Sequence, residues 1–165
     1  MSDIVVAARV WRRVDEHPSR EHCRLLQDGL AGEVVIDQCS FTYRVIVDAA
    51  WRTRSLRVEG WVGAEPFTLA LDAPLPDGSI DVDLGFTPST NTLPIRRLGL
   101  AVGEEAKVSA AWLRYPGLTL ERLDQTYRRT GELTWQYTSA TGFTGTLEVD
   151  EHGLVRTYEG GWVTA

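Results

Sequence analysis

The chain has 165 residues, 43% of them hydrophobic and 24% charged, with a formal net charge of −6 and a pI near 5.1. That composition describes one globular domain spanning 1–165 without a separate linker, long enough to bury a real core and too apolar to stay disordered. The negative balance argues against nucleic acid as a main partner, because the average field repels a polyanion.

At the amino terminus, MSDIVVAARVW has neither a basic leader nor a small-residue cleavage site, and no apolar run has membrane-spanning length. A cytoplasmic location is expected. Pro18 to Leu26 is the best helical candidate, with a proline near its start, but it is short. Asp28-Gly29 marks a hairpin turn. From Phe41 the period is two: Phe41, Tyr43, Val45, Val47, Ala49 and Trp51 alternate with polar or outward residues, which predicts a strand with one buried face. Beyond Ser55 the apolar set moves to Leu56 and Val58, so a bulge or tight reversal is predicted within Trp51 to Ser55.

Pro76-Asp77-Gly78 predicts a turn before DVDLGFTPSTNTLPIRR, residues 81–97. Asp81 and Asp83 share one face of a strand, Val82 and Leu84 the other. A calcium loop begun at Asp81 fails, since Phe86 falls where glycine is needed and Thr92 where a bidentate glutamate belongs. The segment reads first as a clasp: carboxylates that receive arginines, prolines that fix the backbone, and Ser89, Thr90 and Asn91 bonded to nearby main chain. Read as a strand, Arg96 and Arg97 point to opposite faces, and the inward one needs a carboxylate or an anionic ligand.

Alternation returns in Ala106, Val108, Ala110 and Trp112, in Leu133, Trp135 and Tyr137, and in Phe143, Gly145, Leu147 and Val149. Pro116-Gly117, Thr141-Gly142 and His152-Gly153 separate these strands, and Gly160-Gly161 suggests a final bend. The predicted architecture is an all-β, antiparallel roll, a half-open barrel-like sheet. Six tryptophans, Trp11, Trp51, Trp61, Trp112, Trp135 and Trp162, are expected mostly in the core, and so many rings in a curved sheet permit an apolar cavity.

Catalytic signatures are missing. His17, His22 and His152 have no zinc spacing, Cys23 and Cys39 no redox or metal motif, and neither a GxSxG elbow nor a phosphate loop occurs. No enzyme, metal or cofactor is expected; Asp81 or Asp83 would act as a general base only with a raised pKa in a cleft. The two cysteines, expected on neighbouring strands, are read as reduced. The clusters Arg52, Arg54, Arg57 and Arg128, Arg129 read as solvated faces with ion pairs across strands.

Six stretches carry a resemblance: WRR at 11–13, DAAWRTRS at 48–55, DVDLGFTPSTNTLPIRRLGL at 81–100, AAWLRYPGL at 110–118, QTYRRTG at 125–131 and VDEHGLV at 149–155. Together they resemble the bacterial putative glycolipid-binding family. The resemblance implies a spiral antiparallel β-roll, similar in shape to bacterial carriers that hold lipoprotein acyl chains in a half-open sheet. The passage Ala64 to Ile80 is more compact than the family's pattern, which would shorten one wall of such a cavity.

The expected function is non-catalytic binding of a glycolipid or other amphipathic molecule. Tyr43, Val45, Val47, Trp112 and Trp135 would form the apolar lining, and Arg52, Asn91, Arg96 or Arg97, and Tyr127 the polar rim. The alternative is a protein-interaction module with a solid core.

Overall fold

The structure, a computed structural model, describes residues 3–165. Among these, thirteen strands form one open sheet. They are β1 (Val5–Arg13), β2 (Ser19–Leu26), β3 (Gly29–Ile36), β4 (Cys39–Val47), β5 (Thr53–Val62), β6 (Glu65–Asp72), β7 (Asp81–Leu84), β8 (Glu105–Leu113), β9 (Leu120–Arg129), β10 (Thr134–Ser139), β11 (Thr144–Val149), β12 (Val155–Tyr158) and β13 (Trp162–Thr164). Their order across the sheet is β6-β5-β4-β3-β2-β1-β13-β12-β11-β10-β9-β8-β7. Two meanders are thus fused where the first strand pairs with the last, through Trp11 opposite Thr164 and Arg13 opposite Trp162.

Period-two patterning forms this sheet as expected. Phe41, Tyr43, Val45 and Val47 are buried on β4, and Leu56 and Val58 continue the same layer on β5. The reversal between them is the turn 48–52, with Trp51 at φ 64 and the Asp48 carboxylate accepting bonds from the Ala50 and Arg52 amides. That turn absorbs the change of face seen in the sequence.

Three expectations need correction. Pro18 to Leu26 is not helical: Ser19–Leu26 is β2, and Glu21, Cys23 and Leu25 alternate inward between two antiparallel neighbours. Pairing on both sides overrides a weak local helical preference. Cys23 and Cys39 lie on β2 and β4 with β3 between them, both buried and free. The sheet is also not wholly antiparallel, because β7 pairs in parallel with β8. A parallel pair needs a crossover, here the connection 85–104, which contains a 3₁₀ turn at Ser89–Asn91 and the helix α1 (Thr92–Leu98). Gly99, in the left-handed conformation at φ 56, ends that helix.

That crossover organises the interior. On β7 and β8, Val82, Leu84, Ala111 and Leu113 share one face, and Asp81, Asp83, Ala110 and Trp112 share the other. Residues of both faces are buried, so this edge of the sheet is wound inside the roll rather than laid on its surface. Phe86, fully buried, stacks on Phe41 at 4.7 Å between ring centroids and lies 6.3 Å from Tyr43. Leu93 and Ile95 from α1 join the same core. Of the tryptophans, Trp11, Trp135 and Trp162 are buried, Trp51 and Trp112 half-buried, and Trp61 is 52% exposed.

Arg97 clamps the crossover in place. Its guanidinium donates to both oxygens of Asp81, at 3.2 and 2.6 Å, and the Asp81 side chain is almost wholly buried. Removing the cation would strand a buried carboxylate, which typically costs about 3–5 kcal/mol. Arg97→Ala and Phe86→Ala should each lower unfolding free energy by about 3–5 kcal/mol in denaturant titrations. Arg52→Ala, which breaks an exposed ion pair with Asp48, should cost less than about 1 kcal/mol.

Candidate functional site

The crossover brings a chain of buried polar groups into the roll. Glu21, from β2, accepts hydrogen bonds from the Tyr43 hydroxyl and from Thr87 Oγ1, the latter at 2.7 Å. Tyr43 can reach it because its ring lies over Gly32, where a Cβ would come within 2.4 Å of the ring. Burial pushes the Glu21 carboxyl up to about 8, outweighing the two donated bonds. Thr90 Oγ1 accepts the Leu84 amide, Thr92 donates to the Gly153 carbonyl, and Asn91 bridges the Pro88 carbonyl and the Tyr127 hydroxyl, the last at 2.8 Å. These side chains satisfy a backbone that would otherwise lose its partners on burial.

The residues expected to form one site are spread over several places. Tyr43, Val45 and Val47 lie in the packed core with Phe86, so the lining expected for an acyl chain is occupied by the protein's own crossover. Arg52 sits on the exposed 48–52 turn and bonds Asp48 at 2.9 Å. Arg96 and Arg97 are consecutive residues of a helix, not of a strand, which corrects the opposite-face expectation. Arg97 holds Asp81, whereas Arg96 donates to the His152 carbonyl at 2.7 Å and places its guanidinium carbon 4.3 Å from the Trp51 ring centroid. Trp135 is buried beneath Arg129. Tyr127 is buried behind Asn91.

Only Trp112 and Asn91 of that set reach the pocket that stands out chemically. It is a half-open cavity of about 300 Å³ at the end of the roll formed by the turns 114–119, 140–143 and 159–161. Asp83 and Asn91 come to it from the crossover side, with Trp112, Tyr137, Phe143, Tyr158 and Trp162 as ring walls. The rings are contiguous: Phe143 stacks on Tyr158 at 5.8 Å, Tyr137 lies 6.1 Å from Phe143, and Tyr158 meets Trp162 edge-on at 5.1 Å. Arg13 and Asp15, bonded to each other at 2.9 Å, flank the opening.

On the pocket's inner wall, Asp83 has unspent capacity. Its Oδ2 accepts from Gln125 Nε2 at 2.6 Å, and Oδ1 has no donor among the described residues. Burial pushes its carboxyl up to about 6, against the Gln125 bond and with a smaller push from Asp81. Among the described residues, no group of three or more histidines, cysteines and acids could hold a metal ion. Sequence reading weighed Asp83 but missed Tyr137, Phe143 and Tyr158 as one wall, because pairing of β10 with β11 and of β11 with β12 brings them together across the sheet. It also missed Glu21, although a glutamate in phase with Cys23 and Leu25 on a period-two face was a visible signal.

An open β-roll wound around one of its own segments, with a ligand-sized aromatic pocket at one end, is the class that fold and geometry define. The chain matches the family described as "Putative glycolipid-binding" over residues 8–164, and it belongs to that family. A crystal structure of a DUF1089 family protein from Pseudomonas aeruginosa is similar, at 30% identity and a TM-score of 0.78, over 86% of this chain and 89% of that one. No curated protein matches the chain. No helix among the described residues is long and apolar enough to cross a membrane.

Glu21 gives the anchorage of the crossover a pH signature. Its folded pKa, about 8, lies above its ordinary value of 4.5, so the folded state holds the extra proton. Stability from this group is therefore complete below about 4.5 and falls as pH rises through 8. Glu21→Gln should flatten the decline in unfolding free energy between pH 5 and 8, a difference on the order of a few kcal/mol across that range by chemical denaturation.

Proposed function

We propose that the protein is a non-catalytic binder of amphipathic molecules and that the pocket beside Asp83 takes the sugar headgroup of a glycolipid. The supporting observation is the pocket's make-up: a half-buried carboxylate with one unengaged oxygen, set among the rings of Trp112, Tyr137, Phe143 and Tyr158. Ring faces suit the C–H face of a pyranose, and a carboxylate oxygen accepts from its hydroxyls. The volume, at the low end of the ~300–1,000 Å³ typical of small-ligand sites, fits a headgroup and not a whole lipid. An attached chain would leave through the open mouth, past Phe143, which is 42% exposed.

A second reading rests on a different surface. Val35, Ser40, Trp61 and Pro66 form one cross-strand row ending at the sheet's edge strand β6, and Val35 and Trp61 are 60% and 52% exposed. An unpaired edge beside exposed apolar side chains is what a protein-interaction module would present.

Delipidated protein should bind octyl β-glucoside with a rise in melting temperature and a change in tryptophan emission. Trp112→Ala should weaken that binding about tenfold, by loss of one ring wall. Absence of any thermal or spectral response would contradict the headgroup reading. A mass by light scattering that rises with concentration, and reverts in Trp61→Lys, would favour the second.

A further inference from the structure

The charges around the pocket say more about its occupant than its shape does. Arg13 is neutralised by Asp15, and Asp81, next along β7, is neutralised by Arg97. Burial raises the hydroxyl pKa of Tyr127, Tyr137 and Tyr158, so these stay neutral at pH 7. Glu159 spends one carboxylate oxygen on the Thr146 amide and has no cationic partner among the described residues. What remains uncompensated is negative: Asp83 at the inner wall and Glu159 at the rim.

The ring wall has already taken a cation. The Arg13 guanidinium carbon stands 4.6 Å from the Trp162 ring centroid and 6.0 Å from that of Tyr115. Stacked and edge-on rings beside a carboxylate are the general recognition chemistry of ammonium groups, which gain from ring quadrupoles and from a counter-ion at once. An anionic headgroup, by contrast, would face Asp83 in a poorly solvated space.

Building on the headgroup reading above, we propose that this pocket selects headgroups carrying a protonated amine, an amino sugar in the simplest case, with Asp83 Oδ1 as the counter-ion and the aromatic wall as the cation-accepting surface. Asp83 Oδ1 is suited to this role because it has no donor among the described residues and Asp83 lines the pocket. The preference carries its own pH limit. The Asp83 carboxyl sits near 6, so the counter-ion is present above that pH and is lost as pH falls through it.

The test compares D-glucosamine with D-glucose by ligand-observed NMR, at pH 7 and at pH 5, on the full chain and on Asp83→Asn. Asparagine keeps the shape and can still accept from Gln125. At pH 7 glucosamine should bind about tenfold tighter than glucose, and the two should approach parity at pH 5 and in the variant. Equal binding at pH 7, or a preference that survives in Asp83→Asn, overturns the amine inference and leaves the headgroup reading intact. Failure of both sugars to bind overturns both. Should the variant not fold, the pH series on the unaltered chain decides.

Discussion

One bonded pair holds the architecture together: Arg97, on a seven-residue helix, against Asp81, on a four-residue strand. Neither element has length enough to persist by itself, since short helices and isolated strand pairs are marginal in water. The bidentate contact closes the loop that runs from β7 to α1, and between them Phe86, Leu93 and Ile95 enter the core. The parallel strand, the inward-wound edge and the filled interior are consequences of that one loop being pinned at both ends.

Filling the roll with its own chain changes what the fold can hold. A half-open sheet lined by aromatics suggests room for an acyl chain, yet Tyr43 is committed to Glu21 and Phe86 lies against Phe41. The space left over is at the end where the crossover turns away, and it inherits polar groups from that crossover. This is why the remaining pocket mixes a carboxylate with rings instead of offering a greasy tunnel. Asn91 is spent on Tyr127 and Thr87 on Glu21, whereas Asp83, which lines the pocket, keeps one oxygen without a donor among the described residues.

Much of the sheet was legible because side-chain alternation is a local property. The face change near Trp51, the turns at Asp28-Gly29 and Thr141-Gly142, and the clasp role of residues 81–97 all follow from neighbours in sequence. The helix Thr92–Leu98 was not legible: TLPIRRL is too short to display a 3.6-residue period, contains a proline, and has no capping side chain. Its helicity depends on Asp81 and on the Gly153 carbonyl, both remote in the chain. Of the residues expected to bind a ligand, Asn91 and Trp112 line the candidate site, and Asp83 was singled out only as a conditional general base. Arg52 and Arg96 found nearer partners in Asp48 and Trp51, and Tyr137 on β10, Phe143 on the turn before β11 and Tyr158 on β12 became one surface only when the strands were laid side by side.

The central claim, that residues 84–95 are a structural plug and not a lid, is tested most directly by native-state amide hydrogen exchange. The Leu84 and Thr87 amides, bonded to Thr90 Oγ1 and to the Leu84 carbonyl, should exchange only with global unfolding, at the same free energy as the β4 core amides. Exchange of those amides by a separate, lower-energy opening while β4 stays protected would show a segment that swings out, and the filled interior would then be an openable cavity.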